Sequence, residues 1–431
     1  MISRNGVNVN IYVILNSMKK KILIIGNSAK AYALTKKLSE NYEVFVSPLS
    51  DTIKEFAQCL DIREDSVSEL LEFVLENDID LTIPVSETAL KSNIVELFVN
   101  NNRQIFAPSQ GASKLIYDKA LAKKVCYKLR IPTPRFGIFE KQNMANDYIK
   151  NLKAPFVVKT NDASSAVILT SLGEAKTIVD SVFAGNSAKI LIEDYVWGTP
   201  FSFYTLTDGY KALPIGSSIV YRHSLEGDGG QLTGGMGSCS PNYKLSLDNE
   251  EFLMNNVIYP VLDYLEIEGN PYVGILGVNG ILTEDGRVQV LGFQSFMQDC
   301  DADSVLEIID ADLYSLFESC IIGSFSDEVD FIAQKDISAV TLVLNCKNKE
   351  NTENVIEGLD SLDEEVKVSY YPIVNRNKYL EYEAQNGAVL ALTSIAKTVS
   401  SASEKVYGEA SEINFKGKFY RKDIARPCLN Q

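Results

Sequence analysis

Lys21-Ile22-Leu23-Ile24-Ile25-Gly26-Asn27 reads as a buried strand running into a sharp turn. The apolar period then changes to the helical spacing of Ala31, Leu34 and Leu38. A strand, a tight turn and a helix in that order open a parallel α/β unit. Val44-Phe45-Val46, Leu81-Thr82-Ile83-Pro84 and Gln104-Ile105-Phe106 continue as short apolar strands, with helical spacing over 66–76 and 88–98 between them. This alternation predicts a doubly wound parallel sheet, whose ligands sit at the carboxyl ends of its strands. The unit is expected to end near Pro108.

Upstream, Ile11 to Leu15 form an apolar run far short of the roughly 18 residues that span a bilayer. Ser17-Met18-Lys19-Lys20-Lys21 has no small-residue cleavage pattern and is basic where a mature chain would begin. Met18 is therefore read as the start, and residues 1–17 as a frayed or misannotated extension. No later segment looks transmembrane, and a cytoplasmic location is expected.

Downstream, a helix is expected over 113–129, followed by the break Pro132-Thr133-Pro134. Strands are expected at Ala154 to Lys159 and at Ile190 to Tyr195, both closing on charge. Residues 227–238 are glycine-dense, and 272–282 with 288–293 read as a hairpin across Glu284-Asp285-Gly286. Beyond about residue 326, strands at 339–344, 367–372 and 388–393 precede a helix over 399–412. The expected division is an N-terminal α/β unit at 18–112, a central α+β unit at 113–325 and a small C-terminal α+β unit at 326–431.

A formal net charge of -16 argues against nucleic acid or an anionic membrane as partner. It leaves room for a small phosphate-bearing substrate, because a local lysine and arginine cluster outweighs the global field at contact distance. Seven cysteines without a CxxC pair read as reduced thiols. A single histidine, His223, excludes a His-rich zinc site and speaks against a Ser-His-Asp triad.

Two lysines stand out, Lys119 and Lys159, the second at a strand end. Alone, they fit phosphate-directed cations or solvated surface charges. Thr233-Gly234-Gly235-Met236-Gly237 offers backbone amides free of Cβ obstruction, as in an anion-binding nest, or else a flexible loop.

These pieces, taken in order, resemble the phosphoribosylamine–glycine ligases of the ATP-grasp superfamily. Leu213-Pro214 through Thr233-Gly234-Gly235-Met236-Gly237-Ser238-Cys239-Ser240-Pro241 resembles the family's LP…TGGMG.YSP. Ile24-Ile25-Gly26-Asn27…Ala33-Leu34 is similar to IGNGGREHAL, and Asp80 to Leu90 to DL.I.GPE.PL. Ile105 to Pro108 with Asp118-Lys119-Ala120 matches IFGP…SKA, and Ile131-Pro132-Thr133 matches as well. Phe419-Tyr420-Arg421-Lys422-Asp423-Ile424 resembles the terminal FRKDIG. The resemblance runs collinearly from about residue 20 to 426.

It implies a central ATP-grasp domain, ATP and Mg2+, and glycine and phosphoribosylamine joined through an acyl phosphate. It further implies ATP-binding roles for Lys119, Lys159, Glu193, Asp194 and Val196. Substrate-binding roles fall on Gly26, Asn27, Glu87, Arg222 and Thr233 to Gly237, and metal-binding roles on Gln294, Asp299 and Asp301.

The departures are as informative as the matches. The family's phosphate loop, KADGLAAGKGV, is here Lys159-Thr160-Asn161-Asp162-Ala163-Ser164-Ser165-Ala166-Val167, with no glycine and no second lysine. Thr199-Pro200 replaces the acidic residues expected to hold ribose hydroxyls. The magnesium motif EFN.RFGDPE reads Gly292-Phe293-Gln294-Ser295-Phe296-Met297-Gln298-Asp299-Cys300-Asp301. Gly292 has no side chain to give. Asp299, Asp301 and Asp303 form either a solvated acidic turn or a relocated metal site. Three readings follow: a working ligase, a non-catalytic binding or scaffold protein of the same fold, and a ligase for another carboxylate and amine.

Overall fold

The computed structural model of the chain describes residues 19–160, 166–184, 189–324, 336–348 and 353–426. The expected extension at 1–17 and residues 161–165 of the expected phosphate loop lie outside the described residues.

The opening strand is Lys21–Ile25, and Ile22 to Ile25 are all 0% exposed, as a strand covered on both faces requires. It lies parallel between Glu43–Ser47 and Leu81–Pro84, with Gln58–Cys59 at the edge. A parallel bridge from Thr82 to Ile105 extends the other side. Strand order reverses at Lys21–Ile25, so Gly26 sits against Val85 and Ser86 at the switch point, with Asn27 and Glu87 next in the chain.

Two expected helices are each divided. The pattern over 88–98 becomes Glu87–Lys91 and Ile94–Asn100, because Asn93 takes a left-handed φ of 60° between them. The pattern over 113–129 becomes Gln110–Tyr117 and Lys119–Lys128. Here the Asp118 carboxylate accepts from the Ala120 and Leu121 amides at 3.1 and 3.0 Å, capping a new helix. That cap places Lys119 at the first residue of the second helix and Lys123 one turn on, along the same face.

The centre of the chain builds two sheets. The smaller is antiparallel, in the order Phe136–Phe139, Ile190–Asp194, Phe156–Thr160, Val167–Leu169. The larger runs Val288–Gln294, Val273–Leu282, Thr199–Asp208, Ala212–Leu225, Gly229–Ser240, Ser338–Cys346, Gly387–Ala396, Lys367–Tyr370. Its first two strands are the expected hairpin. The C-terminal strands continue this sheet directly, with Gly237 to Ser240 paired to Leu342 to Ala339. The C-terminal α+β unit, closed by helix Val399–Glu412, is thus hydrogen-bonded to the centre and covers what would be an open strand edge.

The N-terminal unit docks through aromatic and polar contacts. Phe106 stacks on Phe317 at 4.2 Å, Tyr32 meets Tyr370 edge-on at 5.7 Å, and the Tyr42 hydroxyl donates to Asp312 at 2.6 Å. Helix Ala302–Glu307 fills the junction, and it carries the buried Asp303. One oxygen of Asp303 accepts from Ser369 at 2.6 Å; the other has no partner. Burial raises its carboxyl to about 7, opposed by the Ser369 bond and Lys36 and reinforced by Glu307 and Asp299. A folded value above the ordinary 3.8 means tighter proton binding in the folded state. The stability this group contributes is therefore full below about pH 4 and is lost as pH rises through about 7. Asp303→Asn is expected to flatten this slope and to stabilise the protein at about pH 8 by about 2–4 kcal/mol. Thermal melts of both proteins across this range check it; parallel pH profiles would refute it.

Candidate functional site

A cleft of about 490 Å³ separates the two central sheets, within the size range of small-molecule sites. The small sheet contributes Val157, Lys159, Leu191 and Glu193, and the segment leaving it contributes Asp194, Tyr195, Val196 and Trp197. The large sheet contributes Ser202, Val220, Arg222, Asn279 and Phe293. Ile116, Lys119 and Ala122 close the third side. Sequence-predicted Lys119, Lys159, Glu193, Asp194, Val196, Arg222 and Thr233 are therefore brought together in one cleft.

Its cationic end is organised by a buried ion group. Glu193 is 1% exposed and lies 2.8 Å from Lys159 Nζ and 3.0 Å from Lys123 Nζ. Burial opposes the charge on Glu193, yet Lys159 and Lys123 together outweigh it and hold the carboxyl below the ordinary range. Lys123 also donates to Thr133 Oγ1 at 2.6 Å and to the Val290 carbonyl at 3.3 Å. It thereby ties the helix to both sheets. Burial pushes its ammonium down, and Glu193 pulls it back. Sequence reasoning missed Lys123, although its i,i+4 spacing from Lys119 on one helix face was available.

Lys119 donates to the Thr160 carbonyl at 3.0 Å. Burial and then Lys159 lower its pKa, whereas Glu87 and Glu193 raise it. Glu87 belongs to the switch point of the N-terminal sheet and pairs with Lys91 at 3.2 Å. The switch point, with Gly26 and Asn27 at the adjoining strand end, therefore lies within electrostatic reach of Lys119.

The glycine-rich stretch departs from the nest expectation. Thr233 to Gly237 lie within strand Gly229–Ser240, and Met236 is buried at 1% exposure. A Cβ on Gly235 would come within 2.3 Å of the Cys300 side chain, and one on Gly237 within 2.4 Å of the Thr341 carbonyl oxygen. These two glycines are required by close packing, and they sit in paired strand, with the Gly235 amide donating to Thr233 Oγ1 and Gly237 paired with Leu342. Gly234 meets nothing within 4 Å, and Thr233 Oγ1 donates to the Arg222 carbonyl at 2.8 Å.

The expected metal ligands are engaged by protein donors, with Gln294 and Asp301 sharing the Tyr204 hydroxyl at 3.4 and 2.9 Å, and this departs from the relocated-site expectation. Asp301 is 0% exposed and accepts from Tyr204 at 2.9 Å, Ser218 at 2.6 Å and the Gln298 amide at 2.8 Å. Burial raises its carboxyl despite these bonds. Asp299 accepts from the Lys30 amide at 3.0 Å, in the first turn of helix Ala29–Ser39. Gln294 donates to Asn279 Oδ1, which also accepts from Gln298 at 2.8 Å and Ser202 at 3.1 Å. Neither aspartate lines the cleft, and no group of three or more acidic, histidine or cysteine side chains able to hold a metal occurs among the described residues. Magnesium prefers a near-octahedral set of oxygens with one or two carboxylates, and the residues present do not fit it.

The nucleotide expectation fares better. Asp194 to Val196 edge the cleft on the small-sheet side, beside the strand of Lys159, and Tyr195 packs edge-on to Trp197 at 4.7 Å. The cleft's far wall is held by the C-terminal segment, which sequence reasoning quoted without assigning it a role. Arg421, with its side chain 2% exposed, pairs with Asp423 at 2.7 Å and Asp228 at 2.9 Å and donates to the His223 carbonyl at 3.1 Å. Asp423 in turn accepts from the Gly227 amide at 2.8 Å.

Two outcomes follow from these contacts. Lys123→Met leaves Glu193 with one cation and is expected to cost on the order of 3 kcal/mol, part of it recovered in the double variant with Glu193→Gln. Thermal melts of the three variants measure this coupling, and strictly additive shifts would count against it. Arg421→Gln should raise amide exchange across 227–233 by roughly tenfold, through local opening of the hairpin. Unchanged exchange there would show that Arg421 does not hold the wall.

Comparison with known proteins accords with this geometry. Profiles described as phosphoribosylglycinamide synthetase match in three consecutive pieces: the N domain at 20–115, the ATP-grasp (A) domain at 117–302 and the C domain at 345–427. The phosphoribosylamine–glycine ligase of Neisseria meningitidis serogroup A is 29% identical over 425 residues, covering 95% of this chain and 100% of that protein. The ligase of Caldanaerobacter subterraneus subsp. tengcongensis is 28% identical, over 94% of this chain and 99% of that one. Among solved structures, the phosphoribosylamine–glycine ligase of Thermotoga maritima superposes with a TM-score of 0.79 at 21% identity, covering 94% of this chain and 100% of that one. The biotin carboxylase domain of Hydrogenobacter thermophilus 2-oxoglutarate carboxylase, with MgADP, superposes at 0.72 and 14% identity, covering 93% and 92%. With its strand order, its cleft and all three domain profiles in register, the chain belongs to the phosphoribosylglycinamide synthetase family.

Proposed function

We propose that the protein joins the carboxylate of glycine to the amine of phosphoribosylamine at the expense of ATP, a step of purine synthesis. One observation carries this reading. Lys119 and Lys159 line one end of the cleft together, Lys159 braced by the buried Glu193, and Glu87 at the switch point of the N-terminal sheet acts on the charge of Lys119. A nucleotide in the cleft and small substrates at that strand end would therefore meet at Lys119. The division 18–112, 113–325 and 326–431 is kept in this reading, with the cleft lined by the central unit and braced from behind by Arg421 and Asp423 of the C-terminal one. No described helix is long and apolar enough to cross a membrane, and we place the protein in the cytoplasm with its small-molecule substrates.

In the reaction, a glycine carboxylate oxygen attacks the γ-phosphorus of ATP, and ADP leaves. The amine nitrogen of phosphoribosylamine then attacks the acyl carbon, forming the amide as phosphate departs and the nitrogen loses a proton. Charge accumulates on phosphoryl oxygens in the first step, and preorganised cations stabilise it without reorganising. Lys159 is held for this role by Glu193, and Lys119 by the Thr160 carbonyl. Lys123, behind them, is a positioning residue. Asp194 to Val196 would edge the base, while Gly26, Asn27, Glu87 and Arg222 face the substrates. Gly234 and the hydroxyl of Thr233 complete the far wall.

A second reading, binding without turnover, is favoured by the engagement of Gln294, Asp299 and Asp301 in hydrogen bonds within the protein. Glycine-dependent ADP release in the presence of freshly generated phosphoribosylamine separates the two. Turnover that falls by roughly 10²-fold or more in a folded Lys159→Met variant is the expected result. A well-folded wild type that releases no ADP would overturn the ligase reading.

A further inference from the structure

Among the described residues, every carboxylate that lines the cleft is paired with a cation of the protein. Glu193 is paired with Lys159 and Lys123, Asp194 with Arg135 at 3.0 Å, and Asp228 with Arg421 at 2.9 Å. The neutral oxygens of the floor are committed too. Asn279 Oδ1 accepts from Ser202, Gln294 and Gln298, and Gln298 Oε1 accepts from Arg222. A hydrated divalent ion brought to this floor would have to compete with protein cations for each of these carboxylates. A polyphosphate, in contrast, would find Lys119, Lys159 and Arg222 on the same lining.

Gly292 explains how the floor lost its ion site without a change of fold. It sits on strand Val288–Gln294 opposite Asn279 and lines the cleft. It occupies the position where the family motif begins with glutamate. A Cβ built there meets nothing within 4 Å, and its backbone is free of left-handed strain. A glutamate therefore fits sterically. What it would add is a carboxylate beside Asn279, facing the lysines across the cleft.

We infer that this cleft binds its nucleoside triphosphate through protein cations alone, independently of a protein-held divalent ion, and that Gly292 is the residue that sets this independence. Without a carboxylate anchor, magnesium gains no bond to the protein and lowers the charge that the lysines attract. The metal-free nucleotide should bind as well as the magnesium complex. With glutamate at 292, the metal-free nucleotide meets a like charge, and only magnesium can bridge it to the wall.

The inference takes from the ligase reading only the identity of the nucleotide. Its test is a binding measurement on the full-length protein. Trp197 is the only tryptophan of the chain and lines the cleft, so its fluorescence reports occupancy. ATP titrated in chelator and in excess magnesium should give dissociation constants within about threefold of one another. In Gly292→Glu, chelator should weaken binding by at least roughly tenfold, and magnesium should restore it. The isosteric Gly292→Gln should show no such restoration.

Tenfold or greater tightening by magnesium in the wild type, or no ATP binding under either condition, would overturn the inference. Should Gly292→Glu fail to fold, the wild-type comparison still decides the first claim, and Gly292→Asp takes its place for the second. Metal-indifferent binding without ADP release would defeat the ligase reading and leave this inference standing. ADP release with magnesium-dependent binding would do the reverse.

Discussion

The carboxylate of Glu193 is the point on which the rest of the structure turns. It is buried at the end of strand Ile190–Asp194, where an isolated charge would be unfavourable by several kcal/mol. Two ammonium groups from different elements make it tolerable, Lys159 from the neighbouring strand and Lys123 from helix Lys119–Lys128. Because Lys123 also binds Thr133 and the Val290 carbonyl, the same interaction fixes the spacing between the small sheet and the large one. The cleft exists at its present width because these charges must stay together. Its positive end exists because two lysines were needed for one carboxylate.

The second constraint is the continuity of the large sheet. Strand Gly229–Ser240 is hydrogen-bonded on one side to the cleft's own hairpin and on the other to the C-terminal strand Ser338–Cys346. Crossing at that seam is tight enough that Gly237 admits no side chain. The C-terminal segment then returns to the cleft wall, where Arg421 and Asp423 grip the backbone and side chains of 223–228. A chain end about two hundred residues away in sequence thus helps set the shape of the cleft. The glycines that drew attention as an anion nest serve this seam.

Membership of the family and the state of the ion site are separate matters. The fold needs the strand order, the buried ion group and the seam, and all three persist. A divalent ion needs uncommitted oxygens at short range, which is a local property that single substitutions remove. Asp301 shows how completely such a group can be absorbed. Three donors surround it, burial raises its carboxyl, and it holds the core together with no face left for a ligand.

Periodicity and turn chemistry alone determined the parallel N-terminal unit, the hairpin over 272–293 and the helix Val399–Glu412, because those elements follow from contacts close in sequence. Motif order was enough for the family, and it was that resemblance, not the spacing of Lys119, Lys159 and Glu193 alone, that pointed to the cationic end of the cleft. The sequence did not disclose that Asp118 and Asn93 would break continuous helical patterns, since a cap and a left-handed residue compete with periodicity only through specific geometry. Nor did it disclose Lys123, the partner of a buried charge, or the grip of Arg421 on the opposite wall. Which acidic residues face the cleft was likewise decided by tertiary structure alone. A carboxylate's role depends on the donors that surround it, and those come from strands, helices and termini that only folding brings together.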